Sequence, residues 1–156
     1  FELGQLEEEL FARANAVTLT GEPLFAGLAA GPAFVRDAAG NVSYAGSSTS
    51  GPVPIAPATA IERGLPGDQV FAFDLGGAPT SAFAVLRTLV DALNGGAPDP
   101  AAAANAALEG IDAALGTVTR AQTILGTRQA WTQQVQVQQD DRSIALAERR
   151  SAIGDT

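Results

Sequence analysis

The side chains that most often carry catalysis are absent from this chain, whose 156 residues include no His, no Cys and no Lys. Without an imidazole, a thiol or an amine, the sequence cannot supply a Ser-His triad, a thiolate nucleophile or a Schiff base. The usual zinc ligands and the lysine of a phosphate loop are missing for the same reason. The chemistry left to the chain is carboxylate catalysis, an oxygen-ligated Ca²⁺ or Mg²⁺ site, or none.

Acidic residues occur in two runs and one spaced pair. Glu7-Glu8-Glu9 and Asp140-Asp141 lie in helical patterns, where consecutive side chains diverge by about 100° and do not converge on one atom. We interpret both runs as hydrated helix surface. Asp68 and Asp74 flank a predicted strand and resemble the acid pair of a glycosidase, but such pairs are common by chance. The sequence therefore predicts no catalytic residue, no metal ligand and no cofactor.

Three other motifs have structural explanations. Asn41-Val42-Ser43 matches a glycosylation acceptor triplet, and an Asn leaving a turn explains it equally well. Gly76-Gly77 and Gly95-Gly96 lack the strand, helix and cationic partner of a phosphate cradle, so we interpret them as hinges or caps. Trp131 follows a helical seam, which favours packing over recognition.

The composition limits both the partners and the core. The formal net charge is −8, and all nine basic residues are Arg. Such a surface repels phosphates, which excludes nucleic acid and anionic membranes as partners. No apolar stretch is long enough to span a bilayer. Aromatic residues make up 6% of the chain and many apolar residues are Ala, which favours closely packed helices over an aromatic-rich core.

Periodicity divides the chain into helical ends and a β-rich middle. A 3–4 apolar spacing predicts a helix from Phe1 to about Val17, and a second, short helix over 79–93 that ends at Gly95-Gly96. Asp99-Pro100 is typical of a helix start, and the helix that follows runs to about Ile153. The middle contains short strands near 24–26, 33–36, 41–45, 53–55, 59–62 and 70–73, with a hairpin turn over 37–41.

These elements predict an α+β fold. In it, the N-terminal helix packs on the long C-terminal helix as a coiled-coil-like stalk, and a small β-rich domain is inserted between them. The stalk comprises residues 1–17 and 78–156, and the outer domain comprises residues 18–77. The long helix exceeds its partner in length, so we expect helical surface that meets further residues or another subunit.

Several short segments, in order, resemble the bacterial flagellin family, and in particular its hook-filament junction proteins. Leu10–Asn15 followed by Gly21–Gly27 is similar to the helix end and the Leu-Phe-Ser-Gly stretch of these proteins. Gly67–Phe71 resembles their Gly-x-x-Val-Phe element, and Leu125–Arg128 their Gly-x-Arg. The closing segment 147–155 resembles their Leu-Ser-x-Ile-x-Asp stretch, with Arg150 in place of the Leu. The resemblance implies a core fragment that lacks both terminal helices of the intact protein.

The resemblance implies a non-enzymatic protein, exported by the flagellar secretion system and located outside the cell. It would form a ring of neighbouring copies that joins the hook, through another hook-associated protein, to the flagellin filament, with an export chaperone as a further partner. The fragment itself is expected to be monomeric. The stalk core would consist of Leu3, Leu6, Leu10, Leu108, Ile111, Leu115, Val118 and Leu125. Candidate subunit contacts are Gln133, Gln134, Gln136 and Asp140.

Three alternatives stay open. Flagellin itself, as the filament subunit, would share the stalk and carry a different outer domain. A surface adhesin or glycan-binding module would use the Gly, Ser and Thr loops of the middle segment. A glycan hydrolase would need two convergent acids in a cleft.

Overall fold

A computed structural model of the protein describes residues 2–154, apart from the side chain of Glu2. The helices are α1 (Glu2–Ala14), α2 (Gly67–Phe71), α3 (Ala82–Asp91), which continues into a π-helical turn (Ala92–Gly96), and α4 (Pro100–Gly154). The strands are β1 (Phe34–Arg36), β2 (Val42–Tyr44), β3 (Pro52–Ala56), β4 (Thr59–Glu62), β5 (Ala72–Leu75) and β6 (Ala78–Ser81). The predicted α+β class and the long C-terminal helix are confirmed. None of the described helices is both long and apolar enough to cross a membrane.

The strands form three separate antiparallel hairpins, β1-β2, β3-β4 and β5-β6. The strand predicted over 24–26 is absent, because this segment turns at Gly27, where φ is +62° and a Cβ atom would lie 2.1 Å from the Ser47 carbonyl oxygen. The strand predicted over 70–73 is half wrong, since α2 ends at Phe71 and β5 begins at Ala72. The proposed domain boundary at residue 77 falls in the β5-β6 turn, and the division into two domains stays a prediction.

The hairpin predicted at 37–41 is confirmed, and one carboxylate holds it. Oδ1 of Asp37 accepts hydrogen bonds from the backbone N–H groups of Ala39 (2.9 Å) and Asn41 (2.8 Å). Oδ2 accepts a third from the Asn41 side chain at 2.9 Å. These bonds, led by that of the Asn41 side chain, lower the pKa of the Asp37 carboxyl group. Asn41 therefore serves the turn.

The β-rich half is built on an aromatic cluster, which the composition did not predict. The ring of Phe34 lies 5.0 Å from that of Phe83, 5.2 Å from Tyr44 and 5.4 Å from Phe71, measured between centroids. Phe25 joins the cluster edge-on to Phe71 at 5.5 Å. Such tilted and T-shaped arrangements are the favoured geometries of aromatic pairs. Five of the nine aromatic residues thus gather from five separate segments of the chain.

The one tyrosine fastens the loop 46–51 to this cluster. The Tyr44 hydroxyl lies 2.9 Å from the Phe25 carbonyl oxygen and 2.8 Å from that of Ser47. The backbone N–H of Ser47 donates to the carbonyl of Ala26 at 2.8 Å, and Ser50 donates to that of Gly64 at 3.0 Å. The Gly- and Ser-rich loop is therefore hydrogen-bonded along its length to the core.

Tyr44 should titrate above the ordinary pKa of a tyrosine, because burial raises its pKa. The neutral hydroxyl is favoured in the folded protein, so its contribution to stability is fully present below the unfolded pKa. That contribution is lost as the pH rises through the folded pKa. Since the chain has a single tyrosine, tyrosinate absorbance in the near ultraviolet reports this group alone. The denatured chain is the control, and identical titration curves in both states would contradict the expectation.

Helix α4 begins where the sequence predicted and packs through small residues. Oδ1 of Asp99 accepts hydrogen bonds from the backbone N–H groups of Ala101 and Ala102, both at 3.1 Å. The 55 residues of α4 span about 83 Å at 1.5 Å per residue. Along its first half, the residues turned to the body of the protein recur at 3–4 spacing; they are Ala107, Gly110, Ala114, Thr117 and Ala121. Each of the first four is followed directly in the sequence by an apolar residue of the predicted stalk core.

The helices share one core, to which α1 contributes Ala14 and α4 contributes Ala121. α1 packs mainly on α3, and α3 packs in turn on the first half of α4. α3 meets α4 at Gly110, where a Cβ atom would lie 2.7 Å and 2.8 Å from the two methyl carbons of Val85. The Val85 side chain can lie this close to the backbone of α4 only where α4 has a minimal side chain, so α4 turns its small residues inward and its leucines outward.

Replacing Gly110 by Ala is therefore expected to destabilise the protein, although Ala favours helix over Gly by about 1 kcal/mol. Overpacking against Val85 costs about 1–3 kcal/mol, so the net effect is a loss. Gly116→Ala is the matched control, because Gly116 lies in the same helix and, apart from the adjacent backbone of that helix, no described residue comes within 4 Å of the position that its Cβ would occupy. It should stabilise the protein by about 0.5–1 kcal/mol. Equal effects of the two substitutions in chemical denaturation would contradict the close approach.

Candidate assembly surface

One side of α4 carries larger apolar residues that are exposed or half-buried in the single chain. We call Leu108, Ile111, Leu115 and Val118 the outer stripe. Leu108 is 59% exposed and Leu115 is 63% exposed, while Ile111 and Val118 are half-buried and Val118 also packs against the core. Consecutive residues of a helix differ by about 100° around its axis, so this stripe lies next to the packed small residues and not upon them. The first half of α4 is therefore apolar on two adjacent sides.

The other four predicted stalk-core residues are likewise either half-buried or exposed. Leu3 and Leu10 are half-buried, and Leu10 packs against the core. Leu6 and Leu125 are exposed in the single chain. Their assignment to a stalk core stays a prediction, and it requires a surface contributed from outside the described residues.

The predicted contact residues lie on the far half of α4, where the helix leaves the body. Gln133, Gln134, Gln136 and Asp140 are all exposed. The first, third and fourth continue the 3–4 spacing of the outer stripe along one side of the helix, whereas Gln134 lies about 100° from Gln133. Side chains from residue 136 to 152 are all exposed, among them the apolar Val137, Ile144 and Leu146. The outer side of α4 is thus apolar near its start and largely polar beyond its middle.

A groove lined by leucines lies beside the middle of α4. Leu24 (48% exposed), Leu28 (65%) and Leu125 (44%) surround it, with buried Leu65 among its lining residues. Its volume is about 750 Å³. An ion pair between Arg63 and Glu22, 3.3 Å apart, lies at its edge. The sequence reasoning missed this groove because its residues come from four distant segments.

Arg128 joins the β3-β4 hairpin to α4 and gives the Gly-x-Arg segment a structural role. Its Nη1 donates to the carbonyl of Gly64 at 2.9 Å, and its Nη2 pairs with Glu62. Farther along α4, the side chain of Gln139 donates to the carbonyl of Ile55 at 2.8 Å. Two points on the helix therefore fix the hairpin.

Replacing Arg128 by Ala should loosen the β3-β4 hairpin from α4. Loss of a charged hydrogen bond costs about 1.5–3 kcal/mol, and we expect the low end because Glu62 is largely exposed. Hydrogen exchange of the β3-β4 amides is the measurement, and their protection should fall more than that of α3. Arg142→Ala, at an exposed position on the same helix, is the control. Unchanged exchange in Arg128→Ala would show that the pairing does not hold the hairpin.

Six of the acidic residues that the structure describes form ion pairs with Arg side chains. Glu7, expected at a hydrated surface, is instead buried beside Arg36, with 3.6 Å between their charged atoms, and Glu8 also pairs with Arg36. The Arg36 guanidinium lies over the ring of Phe11, 4.6 Å from its centroid, which explains why one acid of the run is drawn inward. Within residues 2–154, no group of three or more His, Cys, Asp or Glu side chains could hold a metal ion.

Neither acid of the spaced pair shows the surroundings of a catalytic group. Asp68 lies in the first turn of α2, where its carboxylate accepts a hydrogen bond from the backbone N–H of Gln69 at 2.9 Å. Asp74 is exposed on β5. Asp68 thus has a local hydrogen-bond partner. The candidate site of this protein is therefore not an acid pair but the surface of α4 with its adjoining groove.

The arrangement of α1, three hairpins and a long return helix is similar to the fold of FlgL and of a putative flagellar hook-associated protein. FlgL from Xanthomonas campestris matches 97% of this chain over 80% of its own length, with a TM-score of 0.79 and 16% identity. A second crystal form of that protein matches 86% of this chain and 72% of its own length, with a TM-score of 0.57 and 17% identity. The resemblance predicted from short motifs is therefore confirmed at the level of fold.

A putative flagellar hook-associated protein from Vibrio parahaemolyticus is also similar, with a TM-score of 0.82 and 19% identity over 92% of this chain. The match covers 62% of that protein, so this chain spans about three fifths of its length. No protein-family model and no curated protein sequence matches the chain. The likeness consequently rests on three-dimensional structure.

Proposed function

We propose that this chain is a structural subunit of the bacterial flagellum, located outside the cell at the junction of hook and filament. The observation that carries the proposal is the fold, which matches FlgL over nearly the whole chain. The missing catalytic side chains and the engaged carboxylates agree with a mechanical role. Flagellin, the filament subunit, is the alternative within the same fold.

The mechanism would be repeated contact between copies along α4. Closed rings are built from contacts repeated around a symmetry axis, and rim residues of such contacts are polar. The outer stripe would supply buried contacts near the start of α4, and Gln133, Gln136 and Asp140 would supply polar contacts on the same side. In this proposal the partners are neighbouring copies, another hook-associated protein, flagellin and an export chaperone.

Deletion of the gene that encodes this chain, followed by electron microscopy of the cells and assay of the medium for flagellin, tests the proposal. Hooks without filaments, with unpolymerised flagellin in the medium, would support a junction role. Hooks with no filament subunit made would identify flagellin instead. Normal filaments on motile cells would contradict both and favour an adhesin or a glycan-active module.

Charge placed on the outer side of α4 tests the contact residues in the same strain. Gln136→Arg should reduce swimming in the complemented deletion strain, because it introduces a cation on the side that carries the outer stripe. Gln134→Arg introduces the same charge about 100° away from Gln133 around the helix. Comparing the two variants therefore tells which side of α4 makes the contact. A block by Gln134→Arg alone would place the contact on another side of the helix. Secretion and folding of both variants are compared first, so that loss of motility reports assembly.

A further inference from the structure

We propose that Asn94 is a site of spontaneous deamidation, at which the junction between α3 and α4 acquires a new carboxylate as the protein ages. The inference is independent of the proposed function. It rests on the local structure of the turn Ala92–Gly96 and on a comparison of the four asparagines of the chain.

The reaction needs a backbone outside regular α-helix and an unhindered successor residue, and Asn94 has both. In deamidation the backbone nitrogen of the next residue attacks the side-chain amide carbon. Gly95 follows Asn94, has no side chain to obstruct that approach, and adopts a left-handed φ of +86° within the turn. Apart from its two neighbours in the chain, no described residue places an atom within 4 Å of the position that a Gly95 Cβ would occupy. Asn94 itself is exposed, so water reaches it.

The other asparagines lack this combination. Both polar atoms of the Asn15 side chain are bonded to the backbone of Phe34, at 3.0 Å and 2.9 Å. The Asn41 amide donates to Asp37 at 2.9 Å, and the bulky Val42 follows it. Asn105 is exposed, but it lies in the regular helix α4 and is followed by Ala106. Asn94 is thus the asparagine with a glycine successor in an irregular turn.

The steps balance with water as the one co-reactant. A bond forms between the Gly95 nitrogen and the Asn94 side-chain carbon, the bond from that carbon to the amide nitrogen breaks, and ammonia leaves with the proton of the backbone nitrogen. Water then opens the resulting succinimide at either of its two carbonyl groups. The products are Asp and isoaspartate at position 94, and the net reaction consumes one water and releases one ammonia.

The new carboxylate would lie in an unfavourable place. Position 94 is close beyond Asp91, near the C-terminal end of α3, where the helix dipole disfavours negative charge. Isoaspartate would in addition lengthen the backbone by one carbon atom inside the turn. Both products should therefore loosen the connection between α3 and α4.

Peptide mapping of aged native protein tests the inference with an internal control. Trypsin cleaves after Arg87 and Arg120, and the peptide between them contains both Asn94 and Asn105. After incubation of the folded protein at mildly alkaline pH, fragment ions should show conversion at Asn94 and none at Asn105. Asn94→Gln provides a blank, because the longer side chain cyclises far more slowly. An isoaspartate-specific methyl-acceptor assay should label the original protein and not the variant.

Two results would overturn the inference. If Asn94 stays intact in the folded protein while the same residue converts in the denatured chain, the turn blocks the reaction. Equal conversion at Asn94 and Asn105 would show that the turn has no influence. Circular dichroism recorded alongside confirms that the protein stays folded during incubation.

Discussion

Phe34→Ala is expected to lower the free energy of unfolding by about 3–5 kcal/mol, the usual cost of removing a buried aromatic ring. Phe34 is 4% exposed and its ring contacts three other rings of the aromatic cluster. Its removal leaves a cavity between hairpin β1-β2, α2 and α3, and those elements come from separate segments that cannot collapse together freely. Since small domains are stable by about 5–15 kcal/mol, the loss is a large part of the total.

Chemical denaturation with a matched control measures the effect. Val35→Ala is suitable, because Val35 is the next residue on the same strand and is 40% exposed. It should cost well under half as much as the change at Phe34. A loss below about 1.5 kcal/mol for Phe34→Ala would contradict a packed aromatic core, because volume-conserving substitutions between hydrophobic residues cost about that much.

Asn15→Asp is expected to cause the second large loss of stability, although it replaces only the side-chain amide group by a carboxylate oxygen. The Asn15 side chain donates to the carbonyl of Phe34 at 3.0 Å and accepts from its N–H at 2.9 Å, as a neighbouring strand would. An ionised carboxylate keeps the second bond but sets an oxygen against the Phe34 carbonyl. An unsatisfied buried group costs about 1–3 kcal/mol, and repulsion from the charge adds to that.

The pH dependence of this variant separates repulsion from a general packing defect. When protonated, the carboxyl group introduced at position 15 could donate to the Phe34 carbonyl, so the fold would raise the pKa of that group. The stability of the variant relative to the original protein should therefore recover below the ordinary carboxyl pKa and be lost as the pH rises through the raised one. Asn105→Asp on exposed α4 is the control and should change little. A difference that does not vary with pH would contradict the repulsion.

The sequence predicted the elements whose signals are local. Asp99-Pro100 predicted the start of α4, and the carboxylate does accept hydrogen bonds from the N–H groups of its first turn. The 37–41 turn was predicted for the same reason, since its hydrogen bonds lie within five residues. Such contacts require no knowledge of the rest of the fold.

The packing of α4 could not be predicted from its sequence. Apolar size pointed to Leu108 and Leu115, whereas the approach of Val85 selected Gly110 and its small neighbours one position earlier. A hydrophobic residue prefers burial, but the distance between packed helices decides which side of a helix is buried. The aromatic cluster was missed for a related reason, because its members are far apart in the chain and follow no periodicity.

The reach of α4 beyond the β3-β4 hairpin has a mechanical consequence. From Gln139, which is bonded to Ile55, the helix continues for 15 residues to Gly154, a distance of about 22 Å. If α4 pivots at its contact with the hairpin, a tilt of about 5° would displace its C-terminal end by about 2 Å over that length. A displacement of that size is enough to break a hydrogen bond. The rigidity of the contacts that Arg128 and Gln139 make with the β3-β4 hairpin would then determine how precisely the C-terminal end of α4 is positioned.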